Sequence, residues 1–229
     1  MNKLHRVLLN RAKSKDRFQS MLNSLGAGRF EIKNANTDEA TIYLYDVIVS
    51  DAASAEWFGG VAPQPFVEAL GEITAKKINL RINSPGGDVF GARAIEQALR
   101  EHPAEIVAHI DGYAASAATI VMMAADRIVM NPGAMLMIHD AWSLVMGNST
   151  DMLDMAALLE KIDGTIAGTY AQRTGMNVDD LRKLMDDETW FTAEEAVAAK
   201  FVDAVSEPPP TQNSNQAHIE ALRRRTALL

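Results

Sequence analysis

Five histidines and a complete lack of cysteine limit the nucleophilic chemistry that this chain of 229 residues can carry. Without a thiol, a covalent nucleophile must be a serine, threonine, lysine or carboxylate, and histidine is the usual base. His139 is the strongest candidate base, because it ends the apolar run "MLMI", where a parallel sheet presents functional side chains to a crevice. The other histidines fall in predicted tails, after a helix end or inside a strand: His5, His218, His102 and His109.

Ser116, in "DGYAASAATIVMMAA", is the serine to compare with His139. It stands where a strand and turn enter an apolar helix, and a serine at that position most often caps the helix. A nucleophilic role is also open, because a helix N-terminus supplies free amide donors for a developing oxyanion. Small neighbours would leave room for a substrate backbone: Ala114, Ala115, Ala117 and Ala118. The local sequence alone leaves both interpretations open.

Two adjacent glycines, Gly86 and Gly87, lie in "INSPGGDVFGARAI", where an alternating apolar run changes to a helical pattern. Glycine there either permits a backbone angle that other residues avoid or lets another group approach the main chain closely. Arg81 and Asp88 flank this turn. We expect them to form ion pairs at the surface or at an interface rather than to take part in catalysis.

The elements that must position these residues alternate between strand and helix patterns, which predicts a largely parallel sheet with helices on its faces. We expect strands at 40–48, 77–82, 104–110, 127–130 and 134–139, and a loop at 50–63. Helices are predicted at 66–75, 89–100, 116–125, 150–173 and 178–185. Thr192 and Glu195 form a capping-box pattern for a last helix that ends near Lys200.

Composition favours one domain, with a basic N-terminal arm at residues 1–28, a folded unit at 29–206 and a linker and tail at 207–229. The formal charge of −8 would repel a nucleic-acid backbone. The longest uncharged apolar stretch, Gly112–Ala125, is too short to span a membrane. The absence of cysteine fits a reducing compartment, so we expect a cytoplasmic protein without membrane or nucleic-acid partners.

Three ordered segments resemble ClpP-type serine peptidases: "INSPGG", then "DGYAASAATIVMMAADRIVMNPGAMLMIHDAW", then "TGMNVDDLRKLMDDETWFTAEEAVAAKFVDAV". The resemblance covers about residues 40–205. It implies an α/β fold of the ClpP/crotonase type, built from repeated ββα units with a largely parallel sheet and flanking helices. "EWFGGV" and "DETWFTAEEA" are most similar to the phage and prophage ClpP-like head-maturation, or prohead, proteases.

Carried over position by position, the resemblance makes Ser116 the nucleophile and His139 its general base. Gly87 and Ala117 would donate main-chain N–H groups to the oxyanion, with an extended substrate aligned as an added strand beside the glycines. No metal or other cofactor is implied. A phosphate-loop motif is also absent from the sequence, so ATP-driven unfolding would require a separate protein.

The acid of the triad is ambiguous, because Asp186, Asp187 and Glu188 follow one another. Counting without gaps from Thr174 places Glu188 where the family usually has aspartate. A shift of one residue would select Asp187, and all three carboxylates could instead form a solvated acidic run.

The implied activity is that of a serine endopeptidase acting through an acyl-enzyme, with capsid or scaffold proteins as substrates during phage head maturation. It would work in the bacterial host cytoplasm or the phage prohead. The alternatives are a general ATP-dependent proteolytic subunit with a separate unfoldase, or a catalytically silent shell component. Acyl-CoA chemistry of the crotonase kind is disfavoured, because it would need neither Ser116 nor His139.

The resemblance also implies a ring-shaped homo-oligomer, with stacked seven-subunit rings as the family's form. The apolar positions of the long helix exceed one narrow stripe, which favours a second face covered by another subunit; the alternative is an ordinary core helix. These positions are Met152, Met155, Leu158, Leu159, Ile162 and Ile166.

Overall fold

The computed structural model describes residues 30–207. The predicted N-terminal arm and all but the first residue of the predicted tail lie outside this range. Within it, none of the helices is long and apolar enough to cross a membrane.

Eight strands of the described residues form one mixed sheet in which most pairs are parallel. They are β1 (Glu31–Lys33), β2 (Glu39–Leu44), β3 (Lys77–Ser84), β4 (Glu105–Ala115), β5 (Arg127–Met130), β6 (Met135–Ile138), β7 (Thr189–Thr192) and β8 (Ala204–Val205). Along the main path the strand order is β1-β2-β3-β4-β5-β8, while β6 pairs with the far end of β4 and with β7. Within residues 30–207, only the β1–β2 and β6–β7 pairs are antiparallel.

Seven helices connect or flank the strands of the described part of the chain. They are α1 (Ala52–Phe58), α2 (Pro63–Gly71), α3 (Val89–Glu101), α4 (Ala117–Met122), α5 (Ser149–Thr174), α6 (Val178–Asp186) and α7 (Ala193–Ala198). The predicted α/β fold with a largely parallel sheet and flanking helices is confirmed.

The core lies between one face of the sheet and the helices that cover it. Along β3 every second side chain is buried, including Ile78, Leu80 and Ile82, which follows from the two-residue period of a strand. Ile95 and Leu99 on α3 are buried in the same cluster. Burying one such side chain contributes roughly 1.5–3 kcal/mol.

Strand β4 is longer than predicted. It pairs with β3 along one edge, and two strands share its other edge. Its first part pairs with β5, and its last three residues, Tyr113–Ala115, pair with β6. The sequence favoured an end near residue 110 because Asp111 and Gly112 disfavour strands. Asp111 is accommodated by hydrogen bonds from Arg81 and Asn131, and Gly112 leaves the space that the Asn83 side chain occupies.

The predicted loop at 50–63 is wrong in part, because it contains α1. Asp51 caps this helix by accepting a hydrogen bond of 2.8 Å from the Ser54 N–H, and the helix ends at Gly59. None of its residues is buried, and Trp57 and Phe58 are each 82% exposed. A helix without a buried stripe has no apolar periodicity for sequence analysis to detect.

Several other elements differ from the sequence predictions. Strand β2 ends at Leu44 rather than at residue 48, and α2 covers Pro63–Gly71 rather than 66–75, because proline fits the first turn of a helix. Strands β1 and β8, with three and two residues, are too short to give an alternating pattern.

Strand β7 was not predicted, because four residues next to an acidic run give too short an alternating pattern. Helix α4 begins after Ser116 and ends at Met122, so it is shorter than the predicted 116–125. The capping box of Thr192 and Glu195 is present at the start of α7.

Candidate active site

Ser116 occupies the junction between β4 and α4 in a conformation that residues with a side chain rarely adopt. Its backbone has φ 54° and ψ −128°, and its N–H donates a hydrogen bond of 2.9 Å to the Met137 carbonyl. Ser116 is the N-cap residue of α4, but its side chain makes no capping hydrogen bond. The hydroxyl Oγ instead lies 2.7 Å from Nε2 of His139. The capping interpretation therefore does not describe what this hydroxyl does.

His139 follows β6 directly, and the residues after it are tied to two helices. The Asp140 N–H donates to the Met185 carbonyl at 3.2 Å, and the Ala141 N–H donates to the buried Asp163 carboxylate at 2.7 Å. Burial lowers the pKa of His139 below its ordinary value of 6.5, and the negative charge of Glu188 partly opposes that shift. Near neutral pH the imidazole is therefore mostly uncharged and able to accept a proton.

The antiparallel pairing of β6 with β7 brings Glu188 next to His139. The register ends at Ile138 opposite Thr189, so one further step places Glu188 opposite His139. Glu188 has φ 50°, which turns the chain out of α6 and into β7. Glu188 makes no direct hydrogen bond to the imidazole in this structure, and its influence on His139 is that of a nearby charge.

The other two candidate acids lie on the solvent side of this turn. Asp187 is the C-cap residue of α6, and both Asp186 and Asp187 are exposed, whereas Glu188 is partly buried. Of the three carboxylates, Glu188 is the one whose charge acts on the pKa of His139.

Gly86 and Gly87 are required both for their backbone angles and for the close approach of another group. Their φ angles are 88° and 136°, and the group that approaches closely is the protein's own chain. A Cβ added to Gly87 would lie 2.0 Å from the Ile48 carbonyl oxygen, and one added to Gly86 would lie 2.6 Å from the Ala117 nitrogen. Ile48 donates to the Gly86 carbonyl at 2.7 Å and accepts from Asp88 N–H at 2.8 Å, which holds the glycines against residues 47–48.

The two amides predicted for the oxyanion hole have no hydrogen-bond acceptor among residues 30–207. Gly87 N–H lies outside the regular strand pairing, and Ala117 N–H is in the first turn of α4, where helical amides have no partner within the helix. Gly86 packs against Ala117, which brings the glycine turn beside the start of α4.

Ser116, His139 and Gly87 line one cleft with a volume of about 520 Å³. The rest of its wall is largely apolar. It comes from the segment after β2, the start of α3, the loop after His139 and the first half of α5, and includes Val47, Val49, Phe90, Trp142, Met155, Leu158, Leu159 and Ile162.

Comparison with known proteins identifies the family. A family model described as Clp protease matches residues 31–209 of this chain. The chain belongs to the Clp protease family. It is therefore a ClpP-like peptidase of the serine type, and the expectation from the three sequence motifs is confirmed at this level.

Several relatives extend the match. The chain is 29% identical over 194 residues to the ATP-dependent Clp protease proteolytic subunit 1 of Protochlamydia amoebophila, covering 83% of this chain and 90% of the relative. It is 30% identical over 138 residues to the corresponding subunit of Leifsonia xyli, covering 59% and 70% of the two chains. A ClpP1 mutant from Listeria monocytogenes has the same fold, with a TM-score of 0.62, 20% identity and coverage of 73% and 91%.

The other polar residues singled out in the sequence of this Clp-family peptidase lie outside the cleft or stabilise the fold. Arg81 pairs with Asp111, and Asp88 caps α3 by accepting from Gly91 N–H at 2.6 Å. His109 faces Asn79 across the sheet. No group of three or more histidines and carboxylates arranged to hold a metal ion occurs between residues 30 and 207.

The pH dependence of this peptidase tests the partner of His139. A histidine must be neutral to act as a general base, so with His139 in its predicted role we expect activity to fall as pH drops through its lowered pKa. Glu188→Gln removes the charge that raises this pKa, and the acid limb should therefore move to still lower pH. The rate on the plateau should fall about tenfold or more, because the imidazolium loses its stabilising carboxylate.

The measurement is kcat/KM for one fluorogenic peptide as a function of pH, with Asp187→Asn as the matched control. The control should keep its acid limb and remain within about threefold of wild type on the plateau. The reverse pattern, with Asp187→Asn impaired and Glu188→Gln unchanged, would assign the acid to Asp187.

Proposed function

We propose that the protein is a serine endopeptidase in which Ser116 is the nucleophile and His139 the general base. The contact of 2.7 Å between Ser116 Oγ and His139 Nε2 at the wall of the cleft carries the proposal. It has the geometry that an activated serine needs, and the lowered pKa of His139 leaves the ring nitrogen facing the hydroxyl unprotonated near neutral pH.

In the first step Ser116 Oγ bonds to the peptide carbonyl carbon while His139 takes the hydroxyl proton. The carbonyl oxygen becomes an anion that accepts hydrogen bonds from the N–H groups of Gly87 and Ala117. The C–N bond then breaks, and the imidazolium returns its proton to the leaving amine. Water cleaves the acyl-enzyme by the same sequence, while Glu188 stabilises the charged imidazole.

The lining of the cleft supports an apolar side chain next to the scissile bond. Met155, Leu158 and Leu159 on α5 share the cleft with Ser116, and Phe90 lies at the start of α3. An apolar side chain gains free energy from leaving water there, whereas burying a charged side chain against these apolar residues would cost free energy.

Ser116→Ala should abolish most peptide cleavage while the fold stays intact. The hydroxyl makes no bond to the backbone, and the alanine keeps the Cβ, so packing is hardly disturbed. A fluorogenic peptide with an apolar residue before the cleaved bond measures the loss. Ser143→Ala is the matched control, because Ser143 lines the same cleft but makes no hydrogen bond to His139.

Near wild-type turnover by purified Ser116→Ala, with contamination excluded, would remove Ser116 from the mechanism. A folded, assembled wild-type protein that neither cleaves peptides nor reacts with a fluorophosphonate would instead support a silent shell component.

We also propose a ring-shaped homo-oligomer, as the resemblance to ClpP-type peptidases implies. The exposed apolar side chains around the start of α5 support it: Leu153 is 71% exposed and Met152 51%, and Leu144 and Met146 in the preceding loop are even more exposed. The apolar positions of α5 that favoured a second covered face lie elsewhere in the structure. Met155, Leu158, Leu159 and Ile162 line the cleft, and Ile166 is buried in the core.

Light scattering at micromolar concentration should give a particle several times heavier than the 25.0 kDa chain. Association of subunits would remove the exposed apolar side chains around the start of α5 from water, which favours the oligomer. A monodisperse monomer over the same concentrations would contradict the ring.

For the biological substrate, the resemblance of "EWFGGV" and "DETWFTAEEA" to prohead proteases favours restricted cleavage of capsid or scaffold proteins. The first segment lies partly on the exposed helix α1, and the second contains Glu188 and β7. The named relatives favour the alternative, a general subunit, since they are called ATP-dependent Clp protease proteolytic subunits.

Digestion with and without a Clp-type unfoldase and ATP separates these two functions. A maturation protease should cut a capsid or scaffold protein encoded beside its gene into a few discrete fragments without help. Cleavage of folded proteins to short peptides only when the unfoldase and ATP are present would establish the general subunit instead. A denatured protein substrate is the common positive control.

A further inference from the structure

Beneath Ser116 lies a buried chain of hydroxyl groups that the proposed mechanism does not use. Thr119 is fully buried and Tyr170 is 1% exposed. Thr119 Oγ1 donates to the Ser116 carbonyl oxygen at 2.6 Å and lies 2.6 Å from the Tyr170 hydroxyl. A carbonyl only accepts and a threonine hydroxyl has one proton, so Tyr170 must donate to Thr119. The chain runs in one direction, from Tyr170 through Thr119 to Ser116.

The donor at the start of this chain stays protonated. Burial raises the pKa of Tyr170 to about 12, so the phenol keeps its proton throughout the range in which a serine peptidase works. Hydrogen bonds in series polarise one another, and in a buried setting they are stronger than isolated ones. The Ser116 carbonyl is thus held firmly from the interior of the protein.

Holding this carbonyl also aims an amide. The Ser116 C=O and the Ala117 N–H belong to one planar peptide, which is trans and therefore directs the two groups in opposite directions. The carbonyl points inward to Thr119, whose N–H also donates to it at 3.0 Å. The Ala117 N–H consequently points the other way, towards the side where Gly86 packs.

The conformation of Ser116 explains why such a support is needed. A residue with φ 54° and ψ −128° is strained, and strain of this kind persists only where the surroundings hold it. Met137 fixes the N–H of Ser116 from β6, and Thr119 fixes its carbonyl from α4. Without the Thr119 hydroxyl, this carbonyl would keep the 3.0 Å hydrogen bond from Thr119 N–H but lose the shorter one, so the peptide that carries Ala117 N–H could rotate towards a relaxed geometry.

We propose that Thr119 and Tyr170 are positioning residues that aim the Ala117 amide at the oxyanion formed during peptide cleavage. This inference rests on the proposed role of Ser116 as nucleophile. Neither residue touches the substrate. Their effect belongs to the transition state, because the charge that the amide stabilises exists only there.

The test compares variants that remove a hydroxyl while keeping the size of the side chain. Thr119→Val should lower kcat about tenfold or more with KM within about twofold, and it should weaken a peptide boronate inhibitor by a similar factor as kcat. Tyr170→Phe keeps the ring that packs against Phe201 and should act in the same direction by a smaller factor. Thr119→Ser, which retains the donor, should remain within about threefold of wild type.

Thr174→Val is the matched control. Its buried hydroxyl is on the same helix as Tyr170 and donates to the Tyr170 carbonyl at 2.8 Å, so its loss perturbs the helix without removing the chain to Ser116. It should lower the melting temperature while leaving kcat and boronate affinity close to wild type.

The inference is overturned if Thr119→Ser loses as much kcat as Thr119→Val, since the hydroxyl would then not matter. It is equally overturned if folded Tyr170→Phe and Thr119→Val both keep wild-type kcat and boronate affinity. If Thr119→Val does not fold, the comparison of kcat and boronate affinity between Tyr170→Phe and Thr174→Val decides alone. Failure of the proposed function has a different signature, namely unimpaired turnover by Ser116→Ala or no turnover by the wild type.

Discussion

The site depends on how two strands share the edge of β4 that faces away from β3. The first part of this edge pairs with β5, and its last residues, Tyr113–Ala115, pair with β6. This change of partner brings the end of β6 beside the start of α4, so that Ser116 and His139 meet although they are 23 residues apart. Two parallel strands that end at the same edge of a sheet deliver the two groups to one crevice. The antiparallel strand β7 then adds Glu188 from the other side of β6.

The glycine turn is built into the same edge. Gly86 and Gly87 lie between the chain at residues 47–48 and the start of α4, and a Cβ on either would collide with backbone atoms of one neighbour. Ser84 strengthens the turn, since its buried hydroxyl donates to the Asp46 carbonyl and accepts from Gly86 N–H. The two amides proposed for the oxyanion hole are thus supported from opposite directions: Gly87 by the glycine turn, and Ala117 by Thr119 and Tyr170 behind it.

Sequence predicted the parts of this structure that have a strong local pattern. The alternation in β3, the helical spacing of α3 and the length of α5 gave elements close to those observed. The three motifs single out Ser116, His139 and Gly87 together, and the structure places them in one cleft.

The elements that sequence did not predict lack such a pattern. Helix α1 buries none of its residues. The end of β4 was misplaced because Asp111 and Gly112 are poor strand formers, and the side chains of Arg81 and Asn83 that accommodate them come from β3. Contacts between distant positions leave no local pattern, so neither the register that sets Glu188 opposite His139 nor the hydrogen bond between Thr119 and Tyr170, 51 residues apart, could be deduced.

A crystal structure with a peptide boronate bound would show directly whether Ser116, His139 and the two amides form one catalytic unit. We expect a covalent bond from boron to Ser116 Oγ, with one boronate oxygen about 2.7–3.1 Å from the nitrogens of both Gly87 and Ala117. The inhibitor side chain next to boron should lie against the apolar wall formed by α5 and Phe90. A boronate bonded to another residue, or bonded to Ser116 with its oxygens turned away from both amides, would show that these groups do not act together.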